Sequence, residues 1–298
     1  METDALIQWL LEGDPAVRWR VLQDLAGAPA AAVTRERAKV ATEGWGAELL
    51  AAQDPNGHWD SGVYSPKWTS TTYTLLHLLW LGLPRHNPAA LLGCERLWEW
   101  QARWRVPETC IVSMLIRLTT CHGYGADRLD QTVEHLLDQQ LADGGWNCAS
   151  AGRKDMHSSF HTSIQALEGL QQYARAGGPI DVSEPMRRGR AFFLAHRLYQ
   201  SHRTGKVAIP GSVRFPAFPE WHFDVLRGLE LFRDSDHRDE RLSDALAVLE
   251  QARGRDGRWH TYAQYPGRQW FTLEPSGPSR WNTQRVLRVL RWWSSTVD

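Results

Sequence analysis

Gln53-Asp-Pro-Asn-Gly57-His-Trp59 is the stretch from which the fold can be read, because it recurs as Gln140-Leu-Ala-Asp-Gly144-Gly-Trp146 and as Gln251-Ala-Arg-Gly-Arg-Asp-Gly257-Arg-Trp259. In each copy a glutamine closes a predicted helix. The glycine then lets the chain leave that helix in a turn that needs positive φ, and the tryptophan folds back as a large flat cap. Each copy is expected to fasten one helix pair to the next. The tryptophans lie 87 and then 113 residues apart, too long for one helix pair and about right for two. A degenerate repeat is therefore expected inside each interval.

The rest of the chain reads accordingly. Residues 3–12, 33–52, 88–102, 126–141, 184–200 and 240–253 read as helices with charged faces. Between them, 15–26, 68–82, 108–121, 157–173, 219–233 and 279–293 carry apolar residues at helical spacing, as in Tyr73, Leu76, Leu79 and Trp80. This predicts an all-α chain of twelve helices in six pairs. A tandem array of pairs has two bare ends, and closing the ring buries both. The expected fold is an (α/α)6 toroid of six inner and six outer helices, with residues 1–298 as one domain.

The Gln…Gly-x-Trp motifs and the six helix pairs resemble the superfamily of squalene/hopene cyclases and protein prenyltransferase β subunits, whose common fold is an (α/α)6 barrel. The resemblance covers nearly the whole chain. It is specific for fold more than for chemistry, since one fold hosts many activities.

Composition agrees with one domain able to bury a large core, and sixteen tryptophans exceed ordinary packing needs and point to an aromatic cavity. With 34 basic and 34 acidic side chains, no whole-protein field favours nucleic acid or an anionic membrane. The residues from Met1 lack the basic and apolar stretches of a secretory signal, and no later run is long enough to span a bilayer, so a cytoplasmic protein is expected. Cys94, Cys110, Cys121 and Cys148 show no framework spacing and are expected as reduced thiols. The Gly-, Pro- and Ser-rich stretch from His202 to Pro219 reads as a connector or as a lid over the cavity.

An alternating barrel sorts residues by rim. The Gly-x-Trp loops lead into inner helices, so one rim gathers Trp68, Ser70, Glu108, Cys110, Cys148, Asp155, His157 and His161. The later repeats add Glu220, Trp221, His222, Asp224, Arg280, Trp281 and Asn282. Cys121 and His122 fall on the opposite rim, roughly 15 to 20 Å away at 1.5 Å per residue. Six helix N-termini with Arg153, Lys154 and Arg280 beside them would favour a phosphate or carboxylate at the first rim. Trp68, Trp221, Trp281 and Asn282 complete the predicted substrate contacts. His222 and Asp224 suit an acid/base pair and His161 a further catalytic group, while Asp224 equally suits a helix cap.

Between Gly144 and His161 the chain concentrates polar groups. Cys148, Asp155 and His157 offer thiolate, carboxylate and imidazole, a donor set that suits zinc. They equally suit packing, a helix cap and satisfied imidazoles. The family comparison bears on this choice. Prenyltransferase β subunits carry Asp-x-Cys-x-x-Phe here, its Asp and Cys binding zinc; this chain reads Asp155-Met-His157-Ser-Ser-Phe160, and Asn282 stands where the family's histidine ligand would be. The resemblance thus implies a rebuilt ligand set of Asp155 and His157, completed by Cys148 or His222. The Asp-x-Asp-Asp motif of class II terpene cyclases is missing, and the nearest string is Asp234-Ser-Asp236. A second resemblance is to zinc-binding lanthionine cyclases, through Cys121-His-Gly123 and Trp146-Asn-Cys148, in reversed order.

These readings converge on an enzyme acting on a partly apolar, anion-bearing small molecule, isoprenoid-like, in an aromatic cavity beside zinc. No nucleotide cofactor, nucleic acid or integral membrane partner is expected. The alternative is a non-catalytic barrel that holds a lipid or a peptide in the same cavity.

Overall fold

The computed structural model describes residues 2–103, 108–124, 129–148 and 156–295. Its regular structure among those residues is helical. One set of helices is α1 (Glu2–Leu11), α3 (Ala30–Ala38), α4 (Gly44–Ala51), α6 (Pro88–Gln101), α8 (Asp130–Asp138), α10 (Ser183–Ala195) and α12 (Ser243–Gln251). These alternate with α2 (Pro15–Arg20, continued by a π-turn over Val21–Leu25), α5 (Thr71–Leu81), α7 (Thr109–His122), α9 (Phe160–Arg175), α11 (Val225–Asp234) and α13 (Arg280–Ser294). The second set is the buried one. Nearly every residue of α5 and α7 is inaccessible, whereas α3 has no buried residue. None of the described helices is long and apolar enough to cross a membrane.

The three tryptophan motifs superpose in their bonding. Trp59, Trp146 and Trp259 are fully buried. Each indole N–H donates to a leucine carbonyl ten residues earlier, Leu49, Leu136 and Leu249, at 2.6, 2.8 and 2.7 Å. Each backbone N–H donates to a hydroxyl in the first turn of the next buried helix, on Thr71, Ser163 and Thr283, at 3.0, 2.9 and 3.0 Å. The last carbonyls of one helix and the start of the next are thereby tied through one residue, answering hydrogen-bonding groups that helix ends leave open. Gly57, Gly144 and Gly257 turn at φ of 90°, 97° and 75°, a region that costs other residues steric energy.

The glutamine of the pattern holds in two copies of three. Gln53 donates to Gly57 and Ala89 carbonyls at 3.0 and 2.8 Å, and Gln140 to Gly144 and Pro185 carbonyls at 2.7 and 2.9 Å. In the third copy Arg253 takes this place, its Nε donating to Gly257 O at 3.3 Å. The position is fixed by its distance from the glycine. Arg253 stands four residues before it, as Gln53 and Gln140 do, while Gln251 stands six before and is exposed.

The single helix expected over 33–52 is two helices. Asp14, capping α2 through the Ala16 N–H at 2.8 Å, also accepts from the Trp45 N–H at 2.8 Å. The chain breaks at Gly44, φ 62°, where a Cβ would stand 1.9 Å from the Asp14 carboxylate. A long-range cap has interrupted a locally helical sequence.

The stretch from His202 to Pro219 is neither a plain surface connector nor an outer lid along its whole length. Residues 215–220 are all buried. Phe218 stacks on His77 (4.2 Å between ring centroids) and on Trp80 (5.7 Å). The carbonyls of this stretch are collected by buried helices: Ala217 O accepts from Trp281 Nε1 at 2.8 Å, Phe215 O from Asn282 Nδ2 at 3.1 Å, and Glu220 O from Arg227 at 3.0 Å. It forms a plug, and side-chain donors supply what a buried irregular backbone requires.

Candidate functional site

The first turns of α7 and α9 and the loop ahead of α9 bring Glu108, Cys110 and Cys148 together. One ligand atom from each lies within 4.8 Å of the others. The Cys148 sulfur accepts from the Cys110 backbone N–H at 3.1 Å and faces the Thr162 hydroxyl at 3.5 Å. Its thiol ionises below the ordinary range, first because Cys110 donates a hydrogen bond to it and further because Thr162 and the Cys110 amide do. Cys110 moves the opposite way, held protonated by that same bond and by burial. Of the two thiols, Cys148 is therefore the readier to give up its proton. Glu108 is the exposed N-cap residue of α7, with Cys110 Sγ 3.9 Å from its Oε2.

Two soft thiols and one carboxylate fit a borderline-soft cation. Ligand atoms about 2.3 Å from a tetrahedral zinc lie about 3.8 Å apart, so a group already within 4.8 Å needs only a small contraction to grip one and leaves a fourth position open. Among the described residues Cys148 thus belongs to a metal-capable group with Glu108 and Cys110. Asp155, with Arg153 and Lys154, lies outside the described residues. His157 is exposed, and its Nε2 faces Arg203 at 3.4 Å, outside the Glu108–Cys110–Cys148 group. Glu108 and Cys110 were legible as residues of the same rim. What sequence did not show is that the loop ahead of α9 turns Cys148 onto the Cys110 N–H at the start of α7.

The predicted aromatic and histidine residues do meet. His222 stacks between Trp221 (3.7 Å) and Tyr265 (3.5 Å), with Trp68 and His161 edge-on at 5.8 and 5.6 Å. They form a packed stack. His161 Nδ1 accepts from the Phe223 N–H at 2.8 Å, and Trp68 Nε1 donates to the carbonyls of Tyr265 and Pro266. Burial drives both imidazoles down, His161 to about 4 and His222 to about 3, so both are neutral. Asp224 caps α11 by accepting from the Arg227 N–H at 2.8 Å and does not pair with His222. Trp281 and Asn282 are spent on the plug carbonyls, and Arg280 on Trp9 O at 2.7 Å and Glu12 at 3.1 Å. Beside the thiols stands a second aromatic group, with Tyr64 against Tyr73 (5.4 Å) and Trp100 (6.0 Å), and Tyr73 against Trp68 (4.8 Å). Burial pushes the Tyr64 hydroxyl up to about 12, with the neighbouring Cys110 adding to it.

A cavity of about 540 Å³ lies on the other side of the plug, toward the C-terminal ends of α5, α7, α9 and α11. Ala217 and Pro219 of the plug line it, as do Cys121 and His122. The open space is thus at the end of the buried helices that carries Cys121 and His122, not at the end expected to bind ligand, because the plug and the segment carrying Tyr265 occupy the latter. His122 is buried, bonded to Leu75 O at 3.2 Å and lowered by burial to about 4. Among the described residues Cys121 stands in no group with Cys148. Asp234 pairs with Arg233 at 2.5 Å and Asp236 accepts from Trp292 Nε1 at 2.7 Å, partners unrelated to alkene protonation. No protein-family model and no curated protein matches the chain.

Proposed function

We propose that the chain is a zinc-dependent barrel enzyme whose chemistry is carried by Glu108, Cys110 and Cys148. The observation that carries this reading is the convergence of a carboxylate and a thiol at the first turn of α7 with the thiol of Cys148 from the loop ahead of α9. Helix N-termini favour the thiolate that a metal requires. Neighbour relations support a closed (α/α)6 toroid in one domain. α5 meets α7, α7 meets α9, α9 meets α11, α11 meets α13 and α13 meets α2. The circuit is completed by Trp19 Nε1 donating to Leu81 O at 3.0 Å, from α2 to the end of α5.

In this reading Cys148 and Cys110 hold the ion, Glu108 completes the set from the solvent side, and Thr162 orients the Cys148 sulfur. A bound zinc would supply Lewis acidity or an activated water or thiol at its open position. Tyr64 and Trp100, stacked and half-buried beside it, suit the apolar part of an isoprenoid-like substrate. Zinc content of untagged protein tests the proposal. About one equivalent is expected, lost in Cys148→Ser and Cys110→Ser, weakened about 10- to 100-fold in Glu108→Gln and unchanged in His157→Ala. Parent protein that takes up no zinc from a micromolar buffer, while folded by circular dichroism, would rule it out.

A further inference from the structure

Nine arginines line the 540 Å³ cavity against three carboxylates, Glu168, Glu230 and Asp234. The carboxylates are already committed. Glu168 bridges Arg117 at 2.6 Å and Arg227 at 2.5 Å, Glu230 holds Arg285 at 2.6 Å, and Asp234 holds Arg233. Arg20 and Arg37 have no carboxylate among their bonds, which go to backbone carbonyls of residues 80–83 and of Ala16. Arg117, only 8% exposed, keeps its buried Nε without a partner. Burial and then the neighbouring Arg288 depress Arg20, and burial depresses Arg117, the cost of holding a guanidinium away from water.

The charge comes from α2, α3, α7, α9, α11, α13 and the turn after α5, so it surrounds the space instead of lining one side. Guanidinium planes also rest on the indoles of the walls, Arg20 on Trp19 at 4.3 Å and on Trp281 at 5.3 Å, and Arg117 on Trp80 at 5.8 Å. They are held in fixed directions, and a fixed fork of donors suits phosphate oxygens.

We infer that this cavity is a binding site for a compact small molecule bearing several phosphates around its periphery. A single phosphate meets only part of such an array, and an apolar tail finds few walls free of charge. The inference rests on the cavity alone and is independent of the metal.

Isothermal titration calorimetry with inositol hexakisphosphate, tripolyphosphate and orthophosphate at 150 mM salt tests it. One hexakisphosphate per chain is expected, tighter than tripolyphosphate and far tighter than orthophosphate. Arg85 and Arg175 line the exposed mouth, so the Arg85→Gln/Arg175→Gln double variant should fold as the parent does and bind at least about tenfold more weakly, the scale of losing charge-assisted bonds. Arg187→Gln/Arg241→Gln, which removes two arginines outside the cavity, should bind as the parent does. Cys148→Ser should also leave binding unchanged. Absence of saturable binding, several molecules per chain, or equal binding by the mouth variant would overturn the inference.

Discussion

Asp224 carries two duties that pull against each other. It is fully buried and caps α11 through one oxygen, while its Oδ2 has no partner. Burial raises its pKa to about 6. Between its unfolded value near 4 and that figure, the folded chain binds a proton the unfolded chain has lost, so stability from this group falls as pH rises across the window. His161 and His222 act with the opposite sign. Their folded values are depressed, so the stability they lend is complete above about pH 6.5 and lost as pH falls through about 4 and 3. Asp224→Asn keeps the capping oxygen and removes the charge. Its melting temperature relative to the parent should therefore be more favourable at pH 7.5 than at pH 4.5, by up to about 3 kcal/mol in the underlying free energy. An equal difference at both pH values would show that the carboxyl does not titrate in this range.

Among the helices, the bond from the pattern's fourth residue before glycine should be measurable one copy at a time. Gln140→Ala removes two hydrogen bonds to buried or half-buried carbonyls and should cost about 1 to 2 kcal/mol in urea denaturation. Gln53→Ala should match it, and Gln251→Ala should cost nothing resolvable, since Arg253 makes the equivalent bond. The buried helices were legible because apolar spacing and the Gly-x-Trp turns are local signals, and 71–81, 160–175 and 280–294 fall within three residues of the expected bounds. The break at Gly44 was not, because its cause is Asp14, thirty residues earlier. The His161–His222–Trp68–Trp221 cluster was legible from helix direction alone. Its being packed closed was not, since Tyr265 arrives from a loop with no periodic signal. The arginine cavity escaped for a related reason. Its residues are scattered through seven segments, and each alone reads as an ordinary solvated charge.

The first and last helices are joined in part by Arg280, read from sequence as a ligand contact. Arg280 reaches Trp9 O and Glu12, and Arg288 pairs with Asp24, tying α13 to α1 and to the π-turn after α2. Arg280→Ala should therefore lower stability by about 1 to 3 kcal/mol without altering zinc uptake. The plug closes the interior between these ends. Phe218→Ala should cost about 3 to 5 kcal/mol and join the arginine cavity to the small apolar space behind His77 and Glu220, enlarging the volume open to a ligand. Finally, the three buried indole N–H groups form a built-in set of clocks. Trp59, Trp146 and Trp259 each exchange with deuterium only when their own stretch of helices opens. Three matched exchange rates would mean that the molecule opens as one unit, and three different rates would rank its thirds by local stability.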